Sequence, residues 1–304
     1  MAFSFEVLPP LKGTGTQNLF RTIDRLREFD PEVINITTHR SEYVYAEQPD
    51  GTFVRNRHRR RPGTIAVASA IMQHSGIKVV PHVVCSGFSR DDIEYMLLDL
   101  QFLGISDILV LRGDKAKDDS QFRPEPDGPS HATDLIEQIN LFNAGQFRDG
   151  TPIKCPGQPF TYGVACYPEK HEEAPNPDFD LHVLKMKQDM GAQYAITQLF
   201  YDNEKYFSFV ERARQAGITI PIIPGIKPLA KKSQLTIVPK TFHVDIPQDL
   251  AAEAARLTTD AEVAALGVEW GITQCRELLA HGVPRLHFYT VSAVDSIHQI
   301  MSRL

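Results

Sequence analysis

Short runs of β-branched and aromatic residues alternate along the chain with longer stretches whose apolar residues recur every three or four positions. The pattern therefore switches repeatedly between the strand period of about 2 and the helix period of about 3.6. The first predicted strand covers residues 3–8 and stops at Pro9-Pro10. The helix after it starts behind Thr16 as N-cap and carries Leu19, Phe20, Ile23 and Leu26 on one face. Residues 33–37 form the second strand, followed by a long polar loop and a helix over 62–74. The third strand is 79–85. Ser89 caps the next helix with Asp92 as its capping-box partner, its apolar face is Ile93, Met96, Leu97, Leu100 and Leu103, and Gly104 ends it. Strand–helix pairs continue at 107–111 with 132–142, 162–167 with 178–190, and 194–200 with 203–215. A strand at 220–226 precedes a less regular region with two helical stretches (229–282), and a strand at 285–290 leads into a final helix capped by Ser292.

Eight strands with helical crossovers and no consecutive strands predict an α/β fold with a parallel sheet and outer helices. Crossovers of this kind are right-handed, and eight repeats fit a closed (β/α)8 TIM barrel better than an open doubly wound sheet. No stretch reads as a linker, so residues 1–304 are expected to form a single catalytic domain.

Composition narrows the partners. With 304 residues, 42% of them hydrophobic, the chain can bury a sizeable core. A net charge of −6 makes nucleic acid a poor partner. The start of the chain lacks the pattern of a secretion signal and no apolar run reaches ~18 residues, so no membrane span and a cytoplasmic location are expected. Cys85, Cys155, Cys166 and Cys275 form no CxxC pair and read as reduced thiols.

In a (β/α)8 barrel the chemistry lies at the carboxyl ends of the strands. Those positions hold Glu6, Thr37 with His39, His82, Arg112 with Asp114, Tyr167 with His171, Gln198, Lys227 and Tyr289, which together describe one polar mouth. Glu6 alternates with Phe5 and Val7; it is either a carboxylate in a buried ion pair or a general acid whose pKa burial raises. Arg112-Gly113-Asp114 either closes a turn with an ion pair or belongs to the site; the end of a barrel strand is the wrong place for integrin-type recognition. The basic run Arg55, Arg57, His58, Arg59, Arg60 and Arg61 is a solvated loop, or a grip for a phosphate-bearing cofactor or an acidic substrate tail. Gly13-Thr14-Gly15 falls short of a dinucleotide fingerprint because position 18 is Asn18. His171-Glu172-Glu173 lacks zinc-site spacing, so no metal is expected. Lys227 is either a solvent-facing loop lysine, the commoner case, or a Schiff-base nucleophile.

The same strand ends carry a family pattern. Ser4-Phe5-Glu6 with Pro9-Pro10, Pro81-His82 with Cys85, Leu111-Arg112-Gly113-Asp114, Ala165-Cys166-Tyr167-Pro168-Glu169-Lys170-His171, Ala195-Ile196-Thr197-Gln198-Leu199-Phe200, Ile223-Pro224-Gly225-Ile226 and His287-Phe288-Tyr289-Thr290 follow in order. The set resembles the methylenetetrahydrofolate reductases, bacterial single-domain members in particular, and covers nearly the whole chain. The resemblance implies a TIM barrel that holds FAD noncovalently and reduces 5,10-methylenetetrahydrofolate to 5-methyltetrahydrofolate with NADH or NADPH, in ping-pong fashion, for methionine synthesis. It implies Glu6 as the acid for ring opening and Asp114 as a catalytic group beside flavin and pterin. Glu6, Asp114, Gln198 and Gln234 would bind substrate. Thr37, His82, Arg112, Gly113, Asp114, Ala132, Tyr167, His171, Asp180 and Lys187 would bind the cofactor. The partners implied are small molecules, with homo-oligomerisation left open. The chain departs from the pattern by opening almost on the first strand, by Val7-Leu8 before Pro-Pro, and by the longer basic loop after Thr37. With no regulatory domain after the barrel, inhibition by S-adenosylmethionine is not expected. Two other classes compete: another FAD barrel such as a proline dehydrogenase, and a non-redox pterin-binding methyltransferase module.

Overall fold

A computed structural model describes residues 2–116 and 119–304. The chain divides into two compact units, Met1–Leu8 with Thr22–Asn35 and Tyr162–Leu304, and Pro9–Arg21 with Ile36–Thr161.

In the first unit the strands are β1 (Ala2–Val7), β2 (Val33–Ile36, to Asn35), β7 (Thr161–Cys166, from Tyr162), β8 (Tyr194–Thr197), β9 (Ile222–Ile223), β10 (Gly225–Ile226) and β11 (Arg285–Tyr289). Four pairings among them are parallel: β7 with β8, β8 with β9, β10 with β11, and β11 with β1. The predicted strand at 220–226 is thus one strand broken by Pro224, which has no N–H to give the ladder, while its carbonyl still accepts from His287 N at 3.0 Å. Phe5 and Phe288 are fully buried and stack at 5.8 Å, joining the β1 and β11 faces in the core.

Two helices of this unit begin at a side chain that accepts from an otherwise unpaired first-turn N–H. Helix α5 (Pro177–Asp189) has Asn176 accepting from Phe179 N, with Pro177 in its first turn; α6 (Asn203–Gln215) is capped by Asp202. Residues 229–282 are more regular than the pattern predicted and form three helices, α7 (Gln234–Phe242), α8 (Gln248–Arg256) and α9 (Asp260–Ala280). Leu199, Tyr201, Leu229, Val238, Val244, Leu250, Ala254 and Val263 bury one another there. A Cβ at Gly267 would lie 1.9 Å from the Leu229 carbonyl oxygen, so only glycine admits this approach to α9. The last helix, α10 (Val294–Met301), is not capped by Ser292, which takes a left-handed turn at φ 58° ahead of Ala293.

In the second unit β5 (Val79–Val84) pairs in parallel with β6 (Asp107–Leu111), and helices α2 (Thr64–Ser75), α3 (Arg90–Phe102) and α4 (Ala132–Asn143) accompany them. The predicted Ser89–Asp92 capping box is present on α3. The polar loop expected after the second strand is instead an antiparallel hairpin, β3 (Glu42–Glu47) with β4 (Phe53–His58). Its second strand opens with Phe53 and Val54 and then sets Arg55 and Arg57 alternately with Asn56 and His58, and Arg55 lies 3.4 Å over the Tyr43 ring. Charges at every other position do not read as a strand because neither face is buried. Eight core strands, counting β9 and β10 as one, alternate with helices, and the parallel pairings of β5 with β6, of β8 with β7 and β9, and of β11 with β1 and β10 make the fold of the (β/α)8 barrel class.

Candidate active site

Three strand ends of the first unit line up. Glu6 pairs in register with Tyr289, and Ile226 with Phe288, so Lys227 follows directly opposite Tyr289. The backbone carbonyl of Glu6 accepts twice from Thr290, from its N–H at 3.2 Å and its Oγ1 at 2.6 Å, which fixes the residue at the end of β1. Ser4 and His287, both buried, hydrogen-bond at 2.9 Å one step back along the same pair of strands. The Tyr289 hydroxyl donates to the Thr197 carbonyl at 2.6 Å, and burial, with Glu6 nearby, pushes its pKa well up. Lys227 is not the solvent-facing loop lysine favoured from sequence. It is half-buried, its Nζ donates to the Val291 carbonyl at 2.8 Å, and burial lowers its pKa while the charge of Glu6 raises it.

A second group of this unit gathers at β7 and α5. The Tyr167 and His171 rings meet edge to face at 4.7 Å. Asp180 accepts from His171 N at 2.9 Å, and buried Lys187 reaches back to the Ala165 carbonyl at 3.2 Å. Seven residues apart, Asp180 and Lys187 lie on one face of α5, which is why one helix serves both. Gln198 and Gln234 each commit the side-chain oxygen locally, Gln198 to Leu199 N at 2.9 Å and Gln234 to Ala230 N and Lys231 N at 2.7 and 2.8 Å. Both therefore present their NH2 groups as donors.

In the second unit the ends of β5 and β6 are stitched together. Ser86 N donates to the Arg112 carbonyl at 2.9 Å and Ser86 Oγ to the Asp114 carbonyl at 2.5 Å. Gly113 turns the chain between them at φ 80°, where a Cβ would come 2.9 Å from Ser86 Cβ. No Arg112–Asp114 ion pair closes this turn among the described residues; Asp114 is exposed, and the Arg112 guanidinium lies 4.8 Å from the Phe122 ring. Thr37 Oγ1 and His39 Nε2 are 3.1 Å apart. Loss of water and the charge of Arg61 lower the His39 pKa, against Asp114, which raises it. His82 is buried in β5 and pushed down to about 3 by burial and by His39, so its ring is neutral near pH 7. Ala132 opens α4, where Cys85 Sγ contacts the preceding His131 carbonyl at 3.4 Å.

The sequence matches the methylenetetrahydrofolate reductases over residues 1–304. The chain belongs to that family. It is 31% identical to methylenetetrahydrofolate reductase 1 of Schizosaccharomyces pombe, across 100% of this chain and 46% of that protein. It is 31% identical to the 5,10-methylenetetrahydrofolate reductase of Salmonella typhimurium, across 99% of this chain and 90% of that one. The chain thus spans about half the length of the eukaryotic relatives and most of the bacterial ones. Among solved structures it resembles an uncharacterized protein from Clostridium thermocellum that binds two copies of 5-methyl-5,6,7,8-tetrahydrofolic acid (TM-score 0.57, 13% identity, 99% of this chain and 94% of that one). It also resembles an F420-dependent secondary alcohol dehydrogenase (TM-score 0.55, 10% identity, 98% of this chain and 97% of that one). At such identities these two likenesses concern the fold alone.

Within this methylenetetrahydrofolate reductase fold, sequence reasoning passed over the role of Glu169. Both its carboxylate oxygens accept from Asp245 N, at 3.2 and 3.0 Å, and burial pushes its pKa up to about 7. It lines a cavity of about 570 Å³ with Lys205, Arg212 and His243. Glu172 meets His243 at 3.1 Å beside it, so two acids of one loop hold the turn after α7. The signal was present in the Tyr167-Pro168-Glu169 motif, but its partner lies 76 residues away. No described helix is long and apolar enough to cross a membrane.

Proposed function

We propose that the protein is a cytoplasmic flavoenzyme that reduces 5,10-methylenetetrahydrofolate to 5-methyltetrahydrofolate. NADH or NADPH is the hydride donor in a ping-pong cycle, and residues 1–304 act as one catalytic domain. The observation that carries this reading is membership of a single family along all 304 residues.

The donor set suits noncovalent FAD. Arg112 is a half-buried cation whose planar guanidinium fits a phosphate or a ring edge. Thr37, His82, Gly113, Asp114 and Ala132 would complete the contacts of the second unit. Tyr167 and His171 offer packed rings, and Asp180 and Lys187 hold the backbone around them. When bound, FAD would supply the hydride chemistry; the protein supplies orientation and charge.

The chain's own groups then have distinct tasks. Opening the five-membered ring of the folate leaves an iminium cation and a nitrogen that needs a proton. Glu6, fixed by Thr290, delivers that proton. The Asp114 carboxylate stabilises the cation and holds the pterin. Gln198 and Gln234 orient the substrate through their free amide NH2 groups, since their oxygens are engaged.

An absorption spectrum of the purified protein tests the reading. Flavin bands that NADH or NADPH bleaches and methylenetetrahydrofolate restores are the expected result. A protein that stays colourless after incubation with FAD is instead a non-redox pterin-binding barrel; bleaching that the folate does not reverse indicates a different flavoenzyme.

A further inference from the structure

Helix α7 is weakly held by its own sequence. It has nine residues, Pro239 inside it removes one ladder N–H, and Val238 is its one buried side chain. Leu235 and Phe242 are partly buried against the neighbouring core. Polar contacts tie down both ends. At the start, Gln234 turns its side-chain oxygen onto Ala230 N and Lys231 N, and Lys232 N donates to Asp260 at 3.0 Å. At the end, His243 closes the helix in a left-handed turn at φ 55°, and packing holds that turn at the buried Val244. Two acids from the loop after β7 grip the residues on either side of Val244. Both Glu169 oxygens accept from Asp245 N, at 3.2 and 3.0 Å, and Glu172 Oε2 lies 3.1 Å from His243 Nε2.

The loop is the fixed side of this contact. His171 N donates to Asp180 at 2.9 Å, Glu173 N to His171 Nδ1 at 3.2 Å, and Lys170 Nζ to the His171 and Ala174 carbonyls at 3.2 and 2.9 Å. Those anchors hold the loop that carries Tyr167 and His171 without help from α7. A carboxyl on a backbone N–H also gives direction, which apolar packing does not.

We propose that Glu169 is a positioning residue for the substrate: with Glu172 it clasps the 243–245 turn, docks α7 on the loop after β7, and so fixes the Gln234 amide at the other end of the helix. The proposal deepens the reading of Gln234 as a substrate contact and rests on it for its kinetic part. A helix about 13 Å long turns as one rod, so a tilt let in at 243–245 reorients Gln234.

The test compares wild type with Glu169→Ala, Glu169→Gln and His243→Asn. Asparagine tolerates the left-handed turn but gives up the reach to Glu172, so this variant probes the same clasp if Glu169→Ala folds poorly. The first readout is hydrogen–deuterium exchange by mass spectrometry, which needs neither flavin nor folate. Peptides covering 234–247 are expected to exchange on the order of tenfold faster in Glu169→Ala and about threefold faster in His243→Asn, with peptides of α5 unchanged. Glu169→Gln stays close to wild type, because its amide oxygen still accepts from Asp245 N. In the flavin-loaded enzyme the folate KM rises by the same factors, while kcat and flavin reduction by NADH or NADPH stay within about twofold and Glu169→Gln keeps the wild-type KM. A merely structural Glu169 would lower the melting temperature and leave that KM in place. Unchanged exchange over 234–247 in Glu169→Ala and His243→Asn overturns the clasp, whether or not the protein reduces folate. Faster exchange with an unchanged folate KM overturns the positioning role. Faster exchange in a protein whose wild type leaves the folate unreduced supports the clasp and overturns the assigned reaction instead.

Discussion

Glu6 and Tyr289 sit side by side on neighbouring parallel strands, paired in register near the two ends of the chain. Thr290 grips the backbone of the first residue, and the hydroxyl of the second reaches the Thr197 carbonyl. The candidate acid is therefore fixed through its main chain at the end of β1.

Glu6→Gln keeps the size and the Thr290 clamp but has no proton to give. Flavin reduction by NADH or NADPH is expected to survive, and the folate half-reaction to slow by ~10²–10⁴-fold. Stopped-flow measurement of the two half-reactions separates them; a folate step near the wild-type rate would remove Glu6 from the acid role.

Asp114→Asn should alter both half-reactions, because the proposed place of Asp114 is beside both flavin and pterin. Unchanged rates in both would show that the exposed carboxylate after Gly113 takes no part.

Gly113→Ala forces a side chain into a left-handed turn at φ 80° and places its Cβ 2.9 Å from Ser86 Cβ. A loss of about 1–3 kcal/mol of stability is expected in urea denaturation. A neutral substitution would mean that the turn relaxes freely.

His82 links stability to pH. Its folded pKa of about 3 lies below the ordinary 6.5, so between those values the unfolded chain binds the extra proton. Its contribution is present above pH 6.5 and is lost as pH falls, at up to about 1.4 kcal/mol per pH unit. His82→Leu should flatten the acid side of the stability curve, and an unchanged slope would contradict the burial argument.

Glu169 acts in the opposite sense. Its folded pKa of about 7 is above the ordinary 4.5, so the folded protein binds the proton more tightly and stability falls as pH rises from 4.5 to 7. Glu169→Gln, which can still accept from Asp245 N, should remove that decline in melting temperature measured across the same window.

The sequence by itself determined the alternation of strands and helices, the residues at the strand ends and the family they resemble, because each is written in local periodicity and short motifs. The strand at 107–111 and the Ser89 capping box are in the structure as predicted. Tertiary structure alone decided what depends on partners distant in the chain. Ser4 meets His287 across 283 residues, a pairing that no local pattern encodes. The same long-range register turns Lys227 from an apparent loop residue into a half-buried one opposite Tyr289, and tertiary packing puts Glu169 under the backbone of Asp245. The 42–58 hairpin was illegible for the converse reason: a strand pair exposed on both faces leaves no hydrophobic alternation to read.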